Sequence, residues 1–210
     1  MTASASHVIE RPSATLADRL AGSGAFGRDI VLVALGAMLI ALSATVSIRL
    51  PDNPVPITGQ TFGVLLAAGA LGGRRGAAAA LLYVAIGMVG FPAFAEGRAG
   101  AAVLASIEGG RVVLGATGGY LVSFIAAAAI VGRLAERRWD RRLPAALGVM
   151  LIGSAAIYAV GLPWLAAATG YGPVETIEKG LLPFVVGDLL KLGLAGLALP
   201  TAWRIVGADR

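Results

Sequence analysis

An all-α integral membrane protein of six transmembrane helices, with both termini cytoplasmic, is the fold this 210-residue chain predicts. Three observations carry it. Apolar residues make up 57% of the chain and charged residues 14%, whereas a soluble domain holds about 25% charged residues; the mean hydropathy is +0.82. The apolar residues gather in uncharged runs about as long as a bilayer is thick. Lys and Arg divide unevenly between alternate sides of those runs, twelve against four, with Lys191 inside the last run. The richer side is the cytoplasmic one, and it holds both ends of the chain. The thirty glycines suit helices packed closely in lipid. Alternating strands of about ten residues, the mark of a membrane barrel, are missing from the pattern.

The elements follow in order. Residues 1–28 read as a polar cytoplasmic tail, with a short surface helix over 13–20 and no apolar core of the kind a cleavable secretion signal needs. Gly22, Gly24 and Gly27 match a dinucleotide-binding pattern by letter, but no strand precedes them, so the match is chance. The membrane domain runs over 29–210, with spans at about 30–48, 57–73, 76–94, 117–131, 143–168 and 181–203. The first is uncharged over 19 residues, roughly 28 Å of helix against a hydrocarbon core of about 30 Å. Arg74 and Arg75 close the second span, and residues 136–142 (ERRWDRR) separate the fourth from the fifth, with Trp139 as an interfacial anchor.

Two connections on the external side are unusual. Pro51, Pro54 and Pro56 forbid helix over 51–58, because each removes a donor and pushes its predecessor to extended backbone. Residues 91–119 are long, rich in glycine and filled with apolar side chains, which predicts a segment that packs as a cap.

Asp188 and Lys191 are the sharpest chemical signal. Ionisable groups inside a span are expensive and face a cavity or one another. Spacing of three puts them on one helix face, roughly 10 and 15 Å below the outer boundary at Leu181. Three readings stay open on spacing alone: a mutually neutralising pair, a ligand-binding pair, or the buried carboxylate of a stand-alone proton-coupled carrier. Thr117, Gly118, Gly119 and Tyr120 open the fourth span, where free backbone N–H groups can hold an anionic or carbonyl group. Ala37 and Ala41, four apart in the first span, allow close approach of another helix, either within the bundle or from a partner. A non-transporting assembly protein would use only such contacts.

Other classes fall away. The chain has no Cys and one His, so thiolate or multi-histidine metal centres and a cysteine nucleophile are excluded. The P-loop, H-E-x-x-H and G-x-S-x-G patterns are absent, so neither an enzyme nor a cofactor is expected. The net charge of +5 is spread over short loops, a topology pattern that predicts a lipid bilayer as partner and no nucleic acid.

Several segments, taken in order, resemble the BioY family, the biotin-specific substrate-binding (S) components of energy-coupling factor (ECF) transporters. They are NPVPITGQTF at 53–62, Leu71-Gly72 with Gly76, Gly87 with Gly90, Pro92 and Phe94, LGATGGYL at 114–121, and PFVVGDLLK at 183–191. The resemblance covers about residues 30–200. It implies an S-component-like bundle in the cytoplasmic membrane that captures biotin from outside and catalyses nothing itself. By it, Asp188 and Lys191 would hold the ureido ring and the valerate carboxylate region, with the assignment of each open. Thr117, Gly118, Gly119, Tyr120 and the first external loop would complete the pocket. Ala37 and Ala41 match the pattern by which S components meet a transmembrane coupling protein and a pair of ABC-type ATPases. Val186 and Ala116 stand where the family often has Pro. The connection over 97–115 is longer than usual, and Arg98, Glu108 and Arg111 have no firm counterpart.

Overall fold

A computed structural model describes residues 15–21 and 26–206. Thr15 caps the short helix α1 (Leu16–Ala21). Its hydroxyl accepts from the Asp18 amide at 3.2 Å, and the Asp18 carboxylate accepts from Thr15 in return, a reciprocal cap that satisfies otherwise orphaned donors. Most of the expected surface helix is therefore present; residues 13 and 14 lie outside the described residues, as do Gly22 and Gly24 of the chance glycine pattern. Helix α2 (Phe26–Ala44) contains Gly27 and stops short of the expected boundary. Ser47–Ile48 instead form strand β1, paired antiparallel with β2 (Ile57–Thr58). The three prolines between them leave extended backbone as the available conformation.

Helix α3 (Gln60–Leu71) is shorter than the span expected over 57–73. Gly72, at φ +86°, ends it and at once begins α4 (Gly73–Met88). This corrects the sequence reading at Arg74 and Arg75, which lie in the first turn of α4 and not at the close of α3. Only glycine holds that positive φ without strain, and the position is crowded too: a Cβ on Gly132 would stand 2.3 Å from the Gly72 carbonyl carbon. The α3–α4 corner is thus pressed onto α5 (Gly118–Glu136).

Residues 89–117 are not helical spans. Two single 3₁₀ turns over 95–97 and 101–103 lead into a hairpin of β3 (Ala105–Glu108) and β4 (Arg111–Leu114). Gly109 and Gly110 turn it at φ +56° and +76°, the two positive values a tight hairpin turn requires. Helix α6 (Leu143–Thr169) carries Pro163 within it and ends on left-handed Gly170. Then comes α7 (Pro173–Gly180), an amphipathic helix of eight residues absent from the sequence reading. The last, α8 (Leu182–Val206), carries Asp188 and Lys191.

Four helices, α2, α5, α6 and α8, are long and apolar enough to cross a membrane, and α3 is a shorter apolar helix. The molecule is a multi-pass membrane protein. Helix α5 packs against α3, α4 and α6, and α8 against α3 and α6, around a core that includes Val64, Tyr83, Phe124, Val131, Ile157 and Leu199. Charge networks fasten the end of the bundle away from Asp188. Arg75 meets Asp18 at 2.8 Å and Asp29 at 3.1 Å, and Arg28 meets Asp29 at 2.8 Å, joining α1, α2 and α4. Partial burial pushes the Asp18 carboxyl up, but the Arg75 guanidinium and the Thr15 donors outweigh it and hold the group below its ordinary range. The Trp203 indole donates to Asp140, and the Arg141 guanidinium lies 4.1 Å above the Trp203 ring.

Candidate ligand-binding site

The 3.6-residue period of α8 brings Asp188 and Lys191 to one face, and both line a cavity bounded by α3, α5, α6 and the two long connections. Asp188 is buried, at 7% exposure. Lys191 Nζ donates to Asp188 Oδ1 at 2.9 Å and to Thr61 Oγ1 at 3.3 Å. The Tyr158 hydroxyl donates to the other carboxylate oxygen. The carboxylate therefore has a cation on one oxygen and a phenol on the other, the compensation a buried charge requires. Both acidic and basic groups retain capacity toward the cavity, since an ammonium has three donors and a carboxylate about four acceptor positions.

The apolar part of the wall comes from Leu121 and Phe124 on α5, Ile157 on α6 and Phe184 on α8, with Phe94 and Val103 from the connection after α4. Phe94 stands edge-on to Tyr83 with ring centroids 5.7 Å apart. Tyr83 in turn is hydrogen-bonded by the Gln60 amide, and Gln60 accepts from Thr58 at 2.9 Å. Arg98 adds a second cation to the wall. The whole is a mostly apolar cleft with a few convergent polar groups, the usual form of a small-molecule site.

The residues expected at the start of α5 separate into two groups. Thr117 and Tyr120 line the cavity. The Thr117 hydroxyl is buried with no hydrogen-bond partner among the described residues, so it is a polar atom available to a ligand. Tyr120 donates to the Gly180 carbonyl at 2.9 Å and packs edge-on against Tyr158 at 6.3 Å. Gly118 and Gly119 instead face α6. A Cβ on Gly119 would fall 2.2 Å from Trp164 Cβ, and one on Gly118 2.9 Å from the Trp164 ring. These glycines let Trp164 in, and its indole donates to the Gly115 carbonyl at 2.9 Å.

Ala37 is buried in this chain's own core, at 4% exposure, because its face of α2 meets α3 and α4. Of the two uses its spacing allows, packing within the bundle is the one seen in the isolated chain. Ala41 is half-buried at the edge of the same core.

Contacts between distant segments hold the connections that carry Val55, Pro56, Phe94 and Arg98 of the cavity wall. Arg49, just after β1, makes a two-pronged ion pair with Glu96, whose hydrogen bonds hold the Glu96 carboxyl below the usual carboxylate range. The Asn53 amide donates to the Lys179 carbonyl at 2.9 Å, and Lys179 Nζ to the Asp52 carbonyl at 2.9 Å. Tyr158, Thr61, Gln60 and Arg98 are wall residues that sequence reasoning did not single out. Gln60 and Thr61 sat inside a quoted motif, whereas Tyr158 lies in an apolar run with nothing around it to mark it.

The BioY family's sequence profile matches residues 15–208. The chain belongs to the BioY family. Among its relatives are the biotin transporter BioY of Rhizobium etli, 35% identical over 178 residues that cover 81% of this chain and 90% of that protein. The biotin transporter BioY of Thermotoga maritima is 37% identical over 170 residues, covering 81% and 92%. A crystal structure of the S-component for biotin from an ECF-type ABC transporter superposes with a TM-score of 0.74 at 22% identity, covering 87% of this chain and 95% of that one. That likeness shows a shared fold. The cavity of this BioY-family member accordingly sits within the S-component architecture, beneath the two long connections.

Proposed function

We propose that this chain is a biotin-binding S component, which captures biotin outside the cell and delivers it across the cytoplasmic membrane with an ECF transmembrane coupling protein and ABC-type ATPases. The chain is a transporter subunit and not an enzyme; nucleotide hydrolysis belongs to the partners. The observation that carries the reading is the Asp188–Lys191 couple lining a largely apolar cavity, in a chain whose relatives are named biotin transporters. A bicyclic ligand with an apolar body, a urea at one end and a carboxylate at the other matches those surfaces. Asp188 can accept from the urea N–H groups, and Lys191 or Arg98 can donate to a carbonyl or carboxylate oxygen. Thr117 and Tyr120 complete the wall, while Gly118 and Gly119 hold α6 close enough to shape it.

In this reading α2, α3, α4, α5, α6 and α8 are the six spans of a membrane domain over 29–210, both termini are cytoplasmic, and the cavity opens outward. The asymmetry of Lys and Arg supports that orientation. Helix α2 serves the coupling protein. Only 17% of its apolar window is buried, against 33 to 56% in the other three long helices. Its free face presents Ala34, Met38 and Leu42, with Ala41 at the rim. A stand-alone proton carrier fits less well, because Asp188 already has a charged partner, Lys191, at 2.9 Å.

Titration calorimetry of the purified protein with biotin tests the reading. One saturable site per chain is expected; a folded protein that takes up no heat at micromolar biotin refutes it.

A further inference from the structure

The hairpin β3–β4 has one apolar face, and nothing among the described residues covers its outer half. The register pairs Ala105 with Leu114 and Ile107 with Val112. Because successive side chains alternate across a strand, these four share a face. The other face carries Ser106 opposite Val113 and Glu108 opposite Arg111, with the Ser106 hydroxyl donating to Glu108 at 2.9 Å. Ala105 and Leu114, at the base, are half-buried against the bundle. Ile107 and Val112, toward the tip, are 80% and 70% exposed. A two-stranded hairpin is marginal in water on its own, so an uncovered β-branched pair calls for a covering surface.

The base of the hairpin is fixed at the edge of the membrane domain. Three residues separate Leu114 from the start of α5, and β4 packs against α6. The bond from the Trp164 indole to the Gly115 carbonyl ties the strand to the last turns of α6, where a tryptophan suits the headgroup level. The neighbouring turn of α6 presents Ala159, Val160 and Pro163 outward, so the helix that β4 packs against also carries an exposed apolar surface near that end. The hairpin's outer backbone edges lack ladder partners among the described residues, which keeps it out of the hydrocarbon core. The interface remains.

We propose that the β3–β4 hairpin lies in the headgroup region of the leaflet at the cavity end of the molecule, with Ile107 and Val112 turned into the lipid and Glu108 and Arg111 toward water. It thereby anchors the connection that carries Phe94 and Arg98 over the cavity. The placement does not depend on which ligand the cavity takes.

The absence of cysteine makes single spin labels simple to place. Full-length protein carrying Ile107→Cys, Val112→Cys, Ser106→Cys or Arg111→Cys is nitroxide-labelled and reconstituted in phospholipid nanodiscs. Collision with oxygen, which concentrates in lipid, is compared with collision with a water-soluble nickel chelate. The ratio of oxygen to nickel collisions should be several-fold higher at 107 and 112 than at 106 and 111. Two label positions on each face guard against one variant failing to fold. Equal ratios on both faces overturn the proposal and place the hairpin in water. Exclusion of both reagents at 107 and 112 overturns it in favour of a protein covering. If the exclusion comes only on adding biotin, the face closes over the cavity instead, and the proposal also fails.

Discussion

Asp188 is held by contacts that differ in kind. Lys191, one turn further along the same helix, neutralises it at 2.9 Å, and Tyr158 donates from the neighbouring helix α6. A hydrogen bond to a charged group contributes about 1.5–3 kcal/mol, and a buried charge that loses its partner costs more than a neutral group does. Tyr158→Phe should therefore lower the protein's stability by about 1–3 kcal/mol, read as an earlier thermal melt, while Lys191 remains to pair the carboxylate. Thr61→Val should cost less, because Lys191 keeps its 2.9 Å partner.

The ion pair of Arg49 with Glu96 gives a pH dependence of definite sign. The folded Glu96 carboxyl titrates below its ordinary value because Arg49 hydrogen-bonds the charged form. The pin is fully present above the usual glutamate range and is lost as pH falls through the depressed value. Biotin should consequently leave the protein faster in acid than at neutral pH, and Glu96→Gln should leave the release rate high throughout. Stopped-flow release measurements at a series of pH values check both.

At the scale of elements, close approach decides the architecture. The α3–α4 corner presses on α5 where a Cβ at Gly132 would meet the Gly72 backbone at 2.3 Å. Gly132→Val forces backbone apart rather than a flexible side chain, so it should destabilise by about 1–3 kcal/mol or more, seen as loss of monodisperse protein or an early melt. Gly148 has no atom within 4 Å of the corresponding position, and Gly148→Ala should be tolerated.

The long apolar helices were legible because hydrocarbon demands long uncharged runs, and α5, α6 and α8 lie close to the boundaries the hydropathy gives. The reading was less accurate where glycine sets the corners. Hydropathy carries no sign that a single residue, Gly72, is enough to turn α3 into α4. Helix α7 escaped notice because eight residues are too few for periodicity to register. The hairpin was folded into a generic packed cap, although Gly109-Gly110 between two β-branched stretches is a hairpin signal.

The cavity belongs to the whole molecule. Its wall combines residues from the connection between α2 and α3, α3, the 91–117 connection, α5, α6 and α8. Sequence reading found Asp188 and Lys191 because charge in a span is conspicuous, and Thr117 and Tyr120 because a helix start is. Tyr158 and Arg98 join the site only through folding, one from an apolar run and the other from a loop. The same holds for Ala37: small-residue spacing fits a partner and the bundle's own core equally, and packing against α3 and α4 took it into the core.

The uncovered face of α2 gives a prediction at this scale. Met38→Trp adds bulk on that face, away from the cavity. It should reduce biotin uptake by cells that hold the coupling protein and ATPases while leaving the affinity of the isolated chain unchanged. Uptake assays beside binding titrations separate the two effects.

The central claim is that the couple on α8 faces the ligand. Biotin titrations of the unaltered protein, Lys191→Ala and Asp188→Ala under one set of conditions test it most directly. Removal of a charge-assisted contact worth about 1.5–3 kcal/mol should weaken binding roughly 10- to 100-fold in each variant. Two folded variants that bind biotin as tightly as the unaltered chain would contradict the account and put the site elsewhere.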